Sequence, residues 1–280
     1  MEPLFDESDH ERIRHFIESD IGVQLPPSKQ ELVEGRLRRR VKKLKFKTFS
    51  TYLDWALDSP QGHSEKTHII NAITTHKTFF FREPEQFEFL NSDVIETLEE
   101  RRVAEKRDKL RFWSAGCSTG EEAYTLAIVL NEVAEKKRNL AFHILASDVS
   151  NVCISMGEYA VYQESQTVPI PHGLKRKYFL RSEDPKEGLV QVAPEIKRFV
   201  EFQRINLMEP KFPIAHKLDV IFCRNVIIYF DKETQKCLVD KFARQLVPGG
   251  YLFLGHSESL SGLDKTCFQQ VGPMIYRKVR

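Results

Sequence analysis

The 280-residue chain lacks the features that mark membrane-spanning, disulfide-bonded and metal-clustered proteins. No apolar run approaches the roughly 18 residues of a membrane-spanning helix, so no membrane insertion is expected. Its five cysteines, Cys117, Cys153, Cys223, Cys237 and Cys267, are odd in number, and none forms a C-x-x-C pair. That argues against a zinc cluster and a disulfide framework; no metal is expected, and a reducing cytoplasm is the simplest setting. The start, "MEPLFDESDHERIRHF", is acidic and polar, unlike a secretory leader. Neither an internal repeat nor a low-complexity tract is visible. No charge of one sign dominates either: 42 basic residues face 40 acidic ones. The length allows one large domain or two modest ones, with ample core.

What is present divides the chain near residue 85. The first part reads as helical: "DESDHERIRHFIESDIG" ends at Gly22, and after Pro26 and Pro27, Ser28 and Glu31 fit a capping box. The helix that follows carries Val33, Leu37, Val41 and Leu44 on one stripe and Arg36, Arg40, Lys43 and Lys47 on another. "RLRRRVKKLKFK", residues 36–47, has eight basic residues and no acid. Such a run is either a solvated face or a surface waiting for an anionic partner, because uncompensated cations on one helix repel each other. "FSTYLDWALDSP" and "EKTHIINAITTHKTFFF" give two further helical patterns.

From residue 110 short apolar runs alternate with amphipathic helices: "LRFWSAG", "EEAYTLAIVLNEVAEKKR", "AFHILASD", "NVCISMGEYA", "LDVIFCRNV", "KETQKCLVDKFARQLV" and "GYLFLGHS". The alternation predicts an α/β fold, a doubly wound and mostly parallel sheet. "CFQQVGPMIYRKV" suits a terminal hairpin, and residues 188–206 read as a small antiparallel insertion beside the helix "GLKRKYFLR".

The chemistry concentrates at strand ends, where ligands bind in such sheets. Gly116 and Gly120 bracket a turn after "FWSA", but the spacing is neither G-x-G-x-x-G nor a phosphate loop. Glu121 and Glu122 follow at once and would repel a phosphate. A cationic or zwitterionic ligand such as S-adenosyl-L-methionine suits them; an ordinary strand–turn–helix join explains the same residues. Asp148 ends the second strand, placed to accept ribose hydroxyls or to cap a helix together with Ser150. Arg224, Asn225 and Tyr229 follow the strand "LDVIFC", as site residues or as a cap and a core tyrosine. Residues 79–81, all phenylalanine, read as core, and Arg82 beside them as a carboxylate grip.

"TTHKTFFFRE", "WSAGCSTGEEAYTLA", "ASD", "INL" at 205–207, "FCRNVIIYFD" and "PGGYLFLGHSE" together resemble the chemotaxis receptor methyltransferase family (CheR-type), in order and over nearly the whole chain. The resemblance implies a class I methyltransferase with a seven-stranded sheet, an all-α N-terminal domain over 1–85, a catalytic domain over 86–280 and a β-subdomain at about 186–205. It implies methyl transfer from S-adenosyl-L-methionine to glutamate side chains of the methyl-accepting chemoreceptor cytoplasmic domain, leaving S-adenosyl-L-homocysteine. By motif, His76, Thr78, Arg82, Gly116, Glu121 or Glu122, Asp148, Asn206, Leu207, Arg224 and Asn225 would contact the cofactor. Tyr229 and Arg82 would lie at the reacting centre. His76 departs from the asparagine common in the family; a neutral imidazole cannot both donate and accept as an amide does. Arg36, Arg39, Arg40, Lys43 and Lys47 would dock the receptor. A monomer and no nucleic-acid partner are expected. Two other functions fit parts of the pattern: a nucleic-acid methyltransferase, and a non-catalytic module that binds the cofactor.

Overall fold

The computed structural model describes residues 5–136, 140–260 and 267–279. Helices come first. α1 (Glu7–Ile21), α2 (Gln30–Lys43), α3 (Phe49–Leu53) and α4 (His63–Ile73) enclose a core of their own, with Ile13, Ile17, Val33, Leu37, Val41, Tyr52 and Ile69 fully buried. α1 opens on a capping box, but between Asp6 and Asp9. α2 has none: Ser28 lies inside a 3₁₀ turn (Pro27–Lys29) that runs straight into the helix, so no free N-cap position exists for it. Leu44, expected on the buried stripe, is only half-buried at the C-cap of α2.

α4 stops at Ile73, where the sequence pattern continues to residue 81. The guanidinium of Arg36 explains the stop. Its Nη1 donates to the carbonyls of Ala72, Ile73 and Thr74, the acceptors a helix leaves open at its C-terminus. Residues 74–83 therefore leave the helix and cross to the second half of the molecule.

There α5 (Pro84–Phe89) and α6 (Ile95–Ala104) lead into β1 (Leu110–Ala115), α7 (Glu121–Lys136), β2 (Phe142–Asp148) and α8 (Asn151–Tyr159). β3 (Val161–Gln163), α9 (His172–Tyr178), β4 (Phe179–Arg181), β5 (Leu189–Val192), α10 (Pro194–Lys197) and β6 (Val200–Arg204) follow. β7 (Leu218–Cys223), α11 (Lys232–Gln245), β8 (Leu246–Leu254), β9 (Phe268–Gly272) and β10 (Ile275–Lys278) complete the chain. The main sheet has seven strands in the order β6-β2-β1-β7-β8-β10-β9. The first five run parallel, and β10 and β9 form the antiparallel terminal hairpin.

Alternate residues of each strand point to opposite faces and meet different helices. Phe112, Val220, Phe222 and Phe253 pack with α7 residues such as Leu126 and Leu130. Trp113, Ile221 and Leu252 pack with Leu238, Val239 and Phe242 of α11. With both faces covered, all six residues of β7 are buried and five are apolar; the sixth, Asp219, accepts from Arg107 Nη1 (2.7 Å) and Arg111 N (2.8 Å).

The insertion is displaced from its expected place. A separate antiparallel sheet, β3-β5-β4, draws on residues 161–192, not on 186–205. Residues 200–204 pair in parallel with β2, from Ile144↔Val200 to Asp148↔Arg204. Alternation along 188–206 marks two strands but not their partners; the turn of α10 between them sends one to each sheet.

Candidate active site

One cleft opens beyond the carboxyl ends of β1, β2 and β7, roofed by residues 21–36 of the helical part and by the 74–82 crossing. At its base, Gly116 has φ +80, and a Cβ there would collide with Val226 Cγ2. Glycine is thus required for both its backbone angle and its close approach to the next wall. The turn is tied to β2 by Gly116 N and Cys117 N, both donating to Ser147 O at 2.8 Å.

Asp148 is held where the sequence placed it. Its Oδ2 accepts from Ser118 N (3.0 Å) and its Oδ1 from Ser150 N (2.9 Å). It does not cap α8; Ser150 does, through Oγ accepting from Cys153 N at 3.2 Å. The aspartate keeps lone pairs free on both oxygens and borders the cleft. Burial pushes its pKa above the ordinary carboxylate value, against the pull of the Ser150 and Ser118 amides.

The glutamate pair separates. Glu122 borders the cleft, where its Oε1 accepts from Ser114 Oγ (2.6 Å) and its Oε2 lies 3.4 Å from Arg224 Nη1. Glu121 turns away, since successive helical residues diverge. It is buried and accepts from Thr119 Oγ1 at 2.6 Å, which removes it from the candidate contacts. Burial raises the pKa of both.

Arg224 lies under the floor between two carboxylates, Glu122 and Glu83 (3.2 Å), and over the ring of Phe87. Its Nη2 also donates to the Arg82 carbonyl. Among the described residues, Arg224 Nε and Nη1 and Glu83 Oε2 are buried without a hydrogen-bond partner. Arg82 borders the cleft, with Nη1 on Lys77 O (3.3 Å) and its guanidinium 5.6 Å from the Phe79 ring. Of the three phenylalanines, only Phe80 is fully buried; Phe79 is 40% exposed and belongs to the cleft wall, not the core. Thr78 and His76 also border the cleft, and His76 Nε2 lies 2.9 Å from Thr74 Oγ1. Single ligand atoms of His76, Asp148 and Cys153 fall within 4.8 Å of one another, a grouping not foreseen where no metal was expected.

Asn206, Leu207, Asn225 and Tyr229 line the same cleft. The Asn206 amide is largely committed elsewhere: Nδ2 donates to Asp20 O (2.6 Å) and Oδ1 accepts from Met208 N (3.0 Å). It holds the end of α1 against the sheet half, where Gly22 leaves room for Met208. Tyr229 is seated from the helical part as well, its carbonyl accepting from Gln24 N at 2.8 Å.

The expected docking stripe divides. Arg40 is paired on both arms with the buried Glu65 (2.7 and 2.6 Å), Arg38 pairs with Glu34, and Arg36 closes α4. Glu65 also accepts from Tyr52 Oη at 3.0 Å. These three arginines have internal partners, contrary to the picture of a run without compensation. The acids lie outside residues 36–47, one of them on another helix. Arg39, Lys43 and Lys47 are exposed.

Two carboxylates that brace the cleft escaped the sequence. Glu83, in the left-handed region at φ +57, anchors Arg224. Glu258 is 3% exposed and receives the amides that follow β7 and β8. The only signal was an acid inside each of two quoted motifs, "FFRE" and "GHSE".

The donor set suits S-adenosyl-L-methionine. Glu122 offers a partner to an ammonium, Asp148 to ribose hydroxyls, and Arg82 to a carboxylate. The close carboxylates and the absence of a lysine at the turn disfavour phosphate. Comparison with known families agrees. The model for the CheR methyltransferase SAM binding domain matches residues 76–276, and that for the CheR methyltransferase all-alpha domain matches residues 8–74. A chemotaxis protein methyltransferase of Borreliella burgdorferi is 37% identical over 95% of this chain and 93% of its own length. Chemotaxis protein methyltransferase 2 of Pseudomonas aeruginosa is 38% identical over 96% and 92%. The Escherichia coli chemotaxis protein methyltransferase is 34% identical over 95% and 88%. The chain belongs to the CheR methyltransferase family and is an S-adenosyl-L-methionine-dependent methyltransferase.

Proposed function

We propose that the protein forms methyl esters on glutamate side chains of a chemoreceptor's cytoplasmic helices, acting as a monomer in the cytoplasm. The observation that carries the reading is one cleft lined by Glu122, Asp148, Arg82 and Tyr229 together. Among the described residues no helix is long and apolar enough to cross a membrane, which is compatible with that setting. The helices of residues 1–85 serve for docking, while their last stretch, with His76, Thr78 and Arg82, lines the cleft of the catalytic part, 86–280.

When bound, the cofactor supplies a methyl group on a positively charged sulfur. Glu122 and Asp148 would hold its ammonium and ribose, and Leu207 and Asn225 would line the nucleoside. Arg224 offsets one of the two negative charges of Glu83 and Glu122. The acceptor glutamate is already ionised at neutral pH, so no residue has to remove a proton. Tyr229 and Arg82 then act by orientation, and roof and floor together exclude water, which strengthens every charge interaction inside. Arg39, Lys43 and Lys47 meet the acidic surface of the receptor. With Arg36, Arg38 and Arg40 engaged internally, the basic surface is too thin to favour a nucleic-acid substrate.

Calorimetry with S-adenosyl-L-homocysteine tests the cofactor cleft: binding is expected, and its loss in Asp148→Ala. No binding to the wild type overturns the reading.

A further inference from the structure

Glu258 lies just past the end of β8, three residues beyond Gly255, and borders none of the cleft itself. Its two oxygens nevertheless accept four backbone N–H groups. Oε2 takes Gly255 (2.6 Å) and Asn225 (2.8 Å); Oε1 takes Val226 (2.8 Å) and Ile228 (3.3 Å). Three of the donors belong to the loop after β7, a different segment of the chain. Such a buried carboxylate replaces the ladder that the loop lacks, because Asn225 at φ +59 breaks from strand geometry. The loop so gripped carries Asn225, Val226 and Tyr229 into the cleft. It is short and turns through a 3₁₀ segment, Ile227–Tyr229, whose far end is fastened by Gln24 N on Tyr229 O. Val226 also packs against Gly116, so this one loop sets the distance between two walls of the cleft.

We propose that Glu258 is a positioning residue for methyl transfer: its carboxylate fixes the 225–229 loop so that Asn225 and Tyr229 face the cofactor before it binds. The proposal rests on the reading of the cleft as the methyl-transfer site. It differs from a purely local role, in which Glu258 would do no more than close the turn with Gly255, where its own N–H donates to Gly255 O at 2.9 Å. A local role makes the protein less stable on substitution but leaves each folded molecule fully active. A positioning role alters binding and turnover in the folded molecule.

Glu258→Gln keeps the shape but turns an N–H₂ toward backbone donors, so the loop can no longer be held at both oxygens. In folded Glu258→Gln, well below its melting temperature, affinity for S-adenosyl-L-homocysteine is expected to fall about tenfold and kcat on receptor fragments by a similar factor, as displaced reacting groups do. Wild-type affinity and wild-type kcat in that variant would overturn the proposal. A second measurement needs no variant. In the cofactor-free wild type, amides of residues 225, 226 and 228 are expected to exchange with deuterium slowly, and only slightly slower once S-adenosyl-L-homocysteine is added. Fast exchange that becomes slow only with the ligand would show that the loop is ordered by the cofactor and not by Glu258. If the wild type binds no S-adenosyl-L-homocysteine at all, the cleft reading falls and Glu258 loses this role with it; normal wild-type binding beside an unaffected variant sinks the role of Glu258 alone.

Discussion

At the scale of single residues, the cleft separates groups that bind from groups that hold other groups. Tyr229 borders the cleft and is seated by its main chain, which leaves its hydroxyl for the reacting partners. Tyr229→Phe is expected to lower kcat by on the order of tenfold to hundredfold while S-adenosyl-L-homocysteine affinity stays near normal, since alignment and not proton transfer is lost. Steady-state kinetics beside calorimetry checks the split; unchanged kcat removes Tyr229 from the reacting centre. The pH dependence of binding follows from Asp148 and Glu122. Burial raises both pKa values above the ordinary 3.8 and 4.5. On the proposed reading the ionised forms bind, so affinity is complete above the raised values and falls as pH drops through them. Titrating S-adenosyl-L-homocysteine binding downward from pH 7 should show the loss beginning above the ordinary carboxylate range, and Asp148→Asn should flatten much of it. An affinity constant down to pH 4 would contradict the assignment. Gly116→Ala should cost at least about 1 kcal/mol for the left-handed backbone alone, measurable as a lower melting temperature.

At the scale of elements, the sequence was legible where a signal is local and periodic. Strand–helix alternation after residue 110, the terminal hairpin at Gly272 and the α1 terminus at Gly22 all follow from patterns within a dozen residues. Strands of three residues, β3 and β4, are too short for alternation to register, so the small sheet was placed too late in the chain. Partner choice was also hidden, because β6 looks the same whether it pairs locally or with β2. The cleft residues were mostly recognisable from their motifs at strand ends. The exceptions share a cause. Arg40 and Glu258 take their roles from side chains or amides that the fold alone brings near, and Glu121 from the phase at which α7 leaves the turn. Arg40 and Glu65 lie 25 positions apart and meet through the packing of α2 on α4. Arg40→Ala strands a buried carboxylate beside Tyr52, and is expected to cost roughly 3 kcal/mol in urea unfolding. A cost near zero would return Arg40 to the solvated face.

At the scale of the whole molecule, the helical part and the sheet meet across the cleft, through Gln24 on Tyr229 and Asn206 on Asp20. The docking proposed for α2 and the chemistry proposed for Tyr229 are thus joined by one short connection, and the exposed Arg39, Lys43 and Lys47 lie on α2 and just after it. Reversing these three charges should weaken receptor methylation and its salt sensitivity together, leaving S-adenosyl-L-homocysteine affinity intact, because exposed charges act over about 8–10 Å in ordinary buffer. Unchanged salt dependence would make the run a solvated face. The most direct measurement of all uses the full chain, S-adenosyl-L-methionine labelled in the transferred methyl, and a purified chemoreceptor cytoplasmic fragment beside RNA and DNA. Label should enter the receptor fragment alone, map to glutamate and leave as methanol in mild alkali. Label that enters nucleic acid, resists alkali or enters nothing would contradict a glutamate methyltransferase.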